Sequence, residues 1–121
     1  MRLTLLIMLL IFSLTACAES GEGAAAQVVE DYLTAKIQGN RDELSRLLCS
    51  ELESILDREA LSFASVSGAR IENLACEQNG DVVTCAGQIV ATYGTNDQTF
   101  PLTSYRVVQE DGEWKWCGEA G

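Results

Sequence analysis

Ala69-Arg70-Ile71-Glu72-Asn73-Leu74-Ala75-Cys76-Glu77-Gln78-Asn79-Gly80-Asp81-Val82-Val83-Thr84-Cys85 is the stretch where the chain changes character. Before it, apolar residues return every three or four positions, the helical period; from Ala69 onward they follow the strand period. Asn79-Gly80, set between two such runs, is a hairpin signal. Ala69 to Cys76 therefore reads as a first strand. Val82 to Tyr93 reads as a long second one, with Val83, Cys85, Ile89, Ala91 and Tyr93 on one side. Two registers are open. A four-residue loop over 79–82 puts Cys76 opposite Cys85; a tighter two-residue turn leaves them offset.

Downstream, the strand pattern repeats. Gly94-Thr95-Asn96-Asp97 is the next turn and Thr99 to Gln109 a third strand. Pro101 places the start of that strand at an edge or a bulge, because proline has no N–H to give to a ladder. Asp111-Gly112 is a hairpin turn. Glu113 to Cys117 is then a fourth strand, with Trp114 and Trp116 on one face.

Upstream, the period is helical. Ala26, Val29, Leu33 and Ile37 form a stripe, with Ala25, Val28 and Tyr32 beside it and Glu30, Asp31, Thr34 and Gln38 opposite. Gly39 reads as a helix stop. Asn40, with Glu43 three residues on, has capping-box spacing and starts a second helix. Leu44, Leu47, Leu48, Leu52, Ile55 and Leu56 make one apolar stripe with Cys49 at its border. Ala60, Leu61, Phe63, Ala64 and Val66 extend it as a further short helix, ended by Ser67-Gly68.

The first residues carry an address. Arg2 precedes an almost wholly apolar run from Leu3 to Leu14, followed by small residues, the pattern of a secretory signal. The run is shorter than the roughly 20 residues a membrane span needs. Leu14-Thr15-Ala16-Cys17 resembles the lipobox of bacterial lipoproteins. That resemblance implies cleavage before Cys17 and a lipid on its sulfur, so that the domain is held at a membrane outside the cytoplasm, on the cell membrane or the outer membrane. The expected division is a signal peptide over 1–16, a tether over 17–23 and a domain over 24–121. Six tether residues beyond Cys17 reach roughly 20 Å at about 3.5 Å each, so the domain would sit close to the lipid.

Charge and cysteine content fit that address. Without Arg2, 7 basic residues face 18 acidic ones, a balance of −11. No basic patch exists, which argues against nucleic acid as a partner. Histidine is absent, so histidine bases, histidine metal ligands and Ser-His or Cys-His catalysis are excluded within the chain. With Cys17 assigned to lipid, Cys49, Cys76, Cys85 and Cys117 remain, and an even count in an exported chain reads as a disulfide framework. Three pairings exist. The strand reading favours Cys76–Cys85 across the first hairpin and Cys49–Cys117 between the second helix and the last strand. A metal site is the weaker reading, since no C-x-x-C occurs.

Helices followed by a four-stranded antiparallel meander give an α+β domain with helices covering one sheet face. This order is similar to that of small lipoproteins of the nuclear transport factor 2-like (NTF2-like, cystatin-like) superfamily, including the DUF4878-type group. The residues that carry the likeness are Val28-Val29-Glu30-Asp31-Tyr32-Leu33, Leu47-Leu48-Cys49 and Glu110-Asp111-Gly112-Glu113-Trp114-Lys115-Trp116-Cys117. The resemblance implies a curved sheet and a cone-shaped cavity between helices and sheet. The cavity lining would include Tyr32, Tyr93, Tyr105, Trp114 and Trp116, each of which also reads as an ordinary core or sheet aromatic.

Enzymes of that superfamily use a carboxylate beside Tyr or Asp donors in an apolar pocket. Here Glu30, Asp31, Tyr32, Tyr93 and Tyr105 are the residue types available, and none falls in an enzyme motif. Glu30 and Asp31 read as a solvated helix face. Ser62, Ser65 and Ser67 lack a base and an elbow motif. Asp81, Asp97 and Asp111 are turn residues without EF-hand spacing. No catalytic residue, cofactor or metal is assigned. The expected role is a non-enzymatic binding or interaction module for an envelope protein or a small apolar ligand. An isomerase- or cyclase-type enzyme and a sheet-mediated homodimer are the alternatives.

Overall fold

The computed structural model describes residues 22–121. Cys17, the signal over 1–16 and most of the tether lie outside these residues. The elements in order are α1 (Glu22–Gln38), α2 (Arg41–Leu47), a 3-10 segment (Ser50–Ile55), α3 (Leu56–Ala60), β1 (Ser67–Asn79), β2 (Val82–Tyr93), β3 (Asn96–Pro101), β4 (Ser104–Glu110) and β5 (Glu113–Glu119). No described helix is long and apolar enough to cross a membrane.

Local sequence explains most boundaries. The first helix runs from Glu22 to Gln38, two residues ahead of the expected domain start at 24, and Gly39 follows at φ 65°. Asn40 caps α2 by accepting a hydrogen bond from the Glu43 N–H at 3.2 Å. The Glu43 carboxylate does not complete a capping box; it pairs with Arg46.

The expected long helix through Leu56 is broken. Leu48 leaves helical geometry to bridge Trp116, and the Cys49 N–H donates to the Trp116 carbonyl at 2.9 Å. The chain resumes as a 3-10 turn and then five residues of α-helix. The expected helix beyond Ala60 is a run of turns up to Ser65.

The sheet has five antiparallel strands, not four. The expected third strand divides at Leu102-Thr103, after Pro101. Both halves pair with β2: β3 along residues 88–93 and β4 along residues 82–84. In the gap, the Cys85 N–H donates to the Thr103 carbonyl and the Leu102 N–H to the Gly87 carbonyl, each at 3.0 Å. Along the main path the order is β1-β2-β4-β5.

The first hairpin resolves the register. Asn79 pairs with Val82, so the turn residues are Gly80 and Asp81, and Cys76 pairs with Cys85. The turn is tight, yet the cysteines align, because its apex lies one residue later than an Asn-Gly turn would place it. Gly80 takes φ 66° at the first turn position, as a type II′ hairpin requires. Asp111 and Gly112 close the last hairpin, both at positive φ, the type I′ pattern.

Three irregularities bend the sheet, the first a slip of the β1–β2 register between Ser67 and Arg70. The β1–β2 register slips again between Glu72 and Ala75, where Asn73 has φ 56° and Gly87 opposite it has φ 105°. A Cβ on Gly87 would lie 2.5 Å from the Glu72 carbonyl oxygen, so only glycine fits. The third irregularity is the slip between β4 and β5, near Gly118 at φ 101°. Bulges of this kind raise local twist and curve a sheet. The helices lie against the curved sheet. Ala25, Val29, Tyr32 and Leu33 of α1 join Leu44, Leu47 and Leu48, and all meet Val83, Cys85, Tyr105, Val107 and Trp116 in one core.

Two disulfides staple these layers. Cys76–Cys85 crosses β1 and β2; Cys49–Cys117 ties the start of the 3-10 segment to β5.

Candidate functional site

The helices do not seal the sheet completely. A cavity of about 480 Å³ opens between α1, the 3-10 segment and α3 on one side and β2 to β5 on the other. Its apolar walls come from Leu33, Leu52, Ile55, Phe63, Ile89 and Leu102. The volume falls within the roughly 300–1,000 Å³ of small-molecule sites.

Tyr32, fully buried, stacks on Trp116 with centroids 3.9 Å apart and planes 9° from parallel. Tyr105 leans on Trp116 at 6.4 Å. These three rings line one region of the cavity. The indole Nε1 of Trp116 is buried and has no hydrogen-bond partner among the described residues.

A buried carboxylate completes the site. Glu59, on α3, is 6% exposed, the one charged residue in the described core. The Tyr32 hydroxyl donates to its Oε1 at 2.7 Å, and Lys36 Nζ lies 3.4 Å from both carboxylate oxygens. Burial and this bond push the Tyr32 phenol far above its ordinary range; the nearby Arg58 charge opposes the shift. Burial also raises the Tyr105 phenol, against a hydrogen bond from the Thr103 N–H and with help from the charge of Glu119. Arg58 and Glu119 are exposed residues on the cavity lining.

Of the expected lining residues, Tyr32, Tyr105 and Trp116 come together here. Tyr93 does not reach the cavity; it meets the edge of Phe100 at 6.5 Å. Trp114 shares a strand face with Trp116 but lies a strand period away, in a smaller recess of about 270 Å³ beside Ala24, Val28 and Arg46. Glu30 and Asp31 are outside the cavity, where Asp31 accepts a hydrogen bond from Gln27.

Sequence reasoning missed Glu59, Lys36 and Arg58. One signal was available: Glu59 falls on the stripe formed by Leu52, Ile55, Leu56 and Phe63, where an acid has no solvent. The exposed large apolar side chains among the described residues are Leu61 and Phe100. The uncovered Tyr and Val side chains expected of a sheet-mediated dimer are not among them.

Carboxylate, phenol and ammonium in an apolar cavity can orient the polar end of a ligand. The described groups of cysteine and acid close enough for a metal reduce to Cys49, Glu51 and Cys117, and both cysteines are consumed by a disulfide.

No family model and no curated protein matches the sequence. Two solved structures are similar in fold. One is an NTF2 variant, Rd1NTF2_05 with five substitutions, at 12% identity and TM-score 0.56, covering 78% of this chain and 94% of that one. The other is an NTF2-like family protein from Streptomyces avermitilis with a provisional dehydratase assignment. It shows 14% identity and TM-score 0.58, with 82% of this chain and 96% of that chain covered. With helices laid on a bent antiparallel sheet around a cavity, and two such neighbours matched over most of their length, the fold of this chain is NTF2-like.

Proposed function

We propose that the protein is an extracytoplasmic, lipid-anchored binding module that takes a small, largely apolar ligand between its helices and its sheet. The observation that carries this reading is the cavity of about 480 Å³, lined by Tyr32, Tyr105, Trp116 and aliphatic side chains. Sites of this kind combine apolar walls with a few fixed polar groups. Glu59 is already engaged by Tyr32 and Lys36, as in a site that orients rather than reacts. Export is supported by two disulfides, which persist in oxidising compartments. Anchoring through Cys17, and kinship with the DUF4878-type lipoproteins, rest on the sequence likeness.

Two experiments test the reading. Mass spectrometry of the protein from its own cells should find residues 1–16 removed and acyl chains on Cys17; an intact leader with a free thiol sinks the anchor. Titration of the Trp114→Phe protein with uncharged apolar probes should change Trp116 fluorescence saturably; a flat response sinks the cavity as a binding site.

One observation favours a second reading. The cavity brings the Glu59 carboxylate together with the hydroxyl-bearing rings of Tyr32 and Tyr105, and a carboxylate base beside tyrosine donors in an apolar pocket is the residue set that abstracts a proton next to a carbonyl. The dehydratase assignment belongs to the Streptomyces protein and offers a precedent on this fold. If this chain is such an enzyme, it should catalyse deuterium exchange at the α-carbon of a bound ketone, and Glu59→Gln should abolish the exchange. Equal exchange with and without protein removes this reading.

A further inference from the structure

On the helical side of the cavity the charges are unevenly matched, Lys36 and Arg58 standing against Glu59. Lys36, Arg41, Arg46, Arg70, Arg106 and Lys115 each pair with a carboxylate. Arg58 is the one described basic residue in no ion pair with another described residue, in a chain with 18 acidic residues. It lines the cavity. Its neighbour Asp57 turns to Arg41 at 2.7 Å and leaves it unmatched. On the helical side the Glu59 charge is met by Lys36 and by the Tyr32 hydroxyl. Arg58 therefore gives that wall a net positive charge. Glu119 lines the sheet side at the end of β5, where its charge acts on Tyr105.

The geometry points to an amphiphilic anion as the ligand: a carboxylate, sulfate or phosphate head on the Arg58 guanidinium, and an apolar tail against Leu33, Leu52, Ile55, Phe63 and Leu102. This deepens the binding reading above and rests on it. A guanidinium forks onto such heads with two parallel hydrogen bonds. A neutral apolar ligand leaves Arg58 unused. A cationic amphiphile meets the like charge of Arg58 on the helical wall, and its head would have to turn to Glu119 on the sheet side or displace Lys36 from Glu59.

The test is a matched twelve-carbon series: dodecanoate, dodecanol and dodecyltrimethylammonium. Each is titrated below its aggregation threshold into the protein, by calorimetry and by Trp116 fluorescence in the Trp114→Phe background. Dodecanoate should bind roughly tenfold or more tighter than dodecanol, the worth of a charged hydrogen-bonded contact. Arg58→Gln should bring dodecanoate down to the level of dodecanol and leave dodecanol unchanged, whereas Arg58→Lys should keep part of the preference. Arg58 is exposed, so melting temperatures of the variants should match the parent and exclude misfolding. Equal binding of acid and alcohol, tightest binding of the ammonium, or a preference untouched in Arg58→Gln overturns the anionic class while the cavity stands. No binding by any member overturns both.

Discussion

The Tyr32 hydroxyl donates to Glu59 Oε1 across 27 residues of sequence and so clips α1 to α3 at the cavity. Tyr32 is also stacked on Trp116 of β5, which makes it the joint of three elements. Its phenol is fully buried and its partner nearly so. Tyr32→Phe keeps the ring and deletes the bond, leaving a buried carboxylate oxygen one donor short. The expected cost is about 1–3 kcal/mol by urea unfolding. An unchanged midpoint would show that the bond contributes nothing.

The same residue sets an alkaline limit. Burial raises the Tyr32 phenol, and that of Tyr105, so the folded state holds these protons more tightly than the unfolded chain. Tyrosines in the unfolded chain titrate near pH 10. This contribution is therefore complete below about pH 10 and is lost as pH rises beyond it. Between pH 9 and pH 11 the parent protein should lose stability more steeply than Tyr32→Phe. Parallel losses would remove Tyr32 as the cause.

Lys36 and Glu59 should behave as a coupled pair. Lys36→Met strips the carboxylate of its counter-charge and should destabilise by about 1–2 kcal/mol, since Lys36 keeps some access to solvent. Glu59→Gln in that background removes the stranded charge and should restore most of the loss. Additive effects of the two substitutions in a double-mutant cycle would show that they do not interact.

Gly87 is the position where a methyl group is least tolerable. It combines φ 105° with carbonyl oxygens of Glu72 and Asn73 at 2.5 and 2.7 Å from a would-be Cβ. Gly87→Ala should lose about 3 kcal/mol or more, from backbone strain together with the steric clash. Gly112→Ala meets open space at φ 80° and should cost about 1 kcal/mol. A Gly87→Ala protein as stable as Gly112→Ala would mean that the bulge relaxes.

The disulfides should differ in weight. Their sequence separations are 68 for Cys49–Cys117 and 9 for Cys76–Cys85. On the chain-entropy account these contribute about 4.4 and about 2.6 kcal/mol. Paired Cys→Ala proteins, unfolded by urea, should follow that order. Greater loss on removal of Cys76–Cys85 would point to packing or native-state effects in place of loop closure.

Local signals in the sequence were reliable where a residue acts on its own neighbours. Gly39, the Asn40 cap and the Asp111-Gly112 turn all act within four residues. The pairing Cys76–Cys85 was favoured while two registers of its hairpin stayed open, and Cys49–Cys117 followed as the remaining pair. The failures come from distant partners. Nothing around Leu48 announces that Trp116 will draw it out of a helix. The division after Pro101 depends on how Gly87 bends β2. The cavity was harder still, because Tyr32, Glu59 and Trp116 lie far apart in sequence and share no motif. Glu59 alone left a trace, as an acid within an apolar stripe.

The connectivity of the four cysteines is nested, first with fourth and second with third. Any chain that emerges N-terminus first exposes Cys49 and then Cys76 to an oxidant well before Cys117 arrives. Oxidation strictly in order of emergence would join Cys49 to Cys76 and Cys85 to Cys117, neither of which is a native pair. The native set is reached directly only where the β1–β2 hairpin closes first and leaves Cys49 to wait for Cys117.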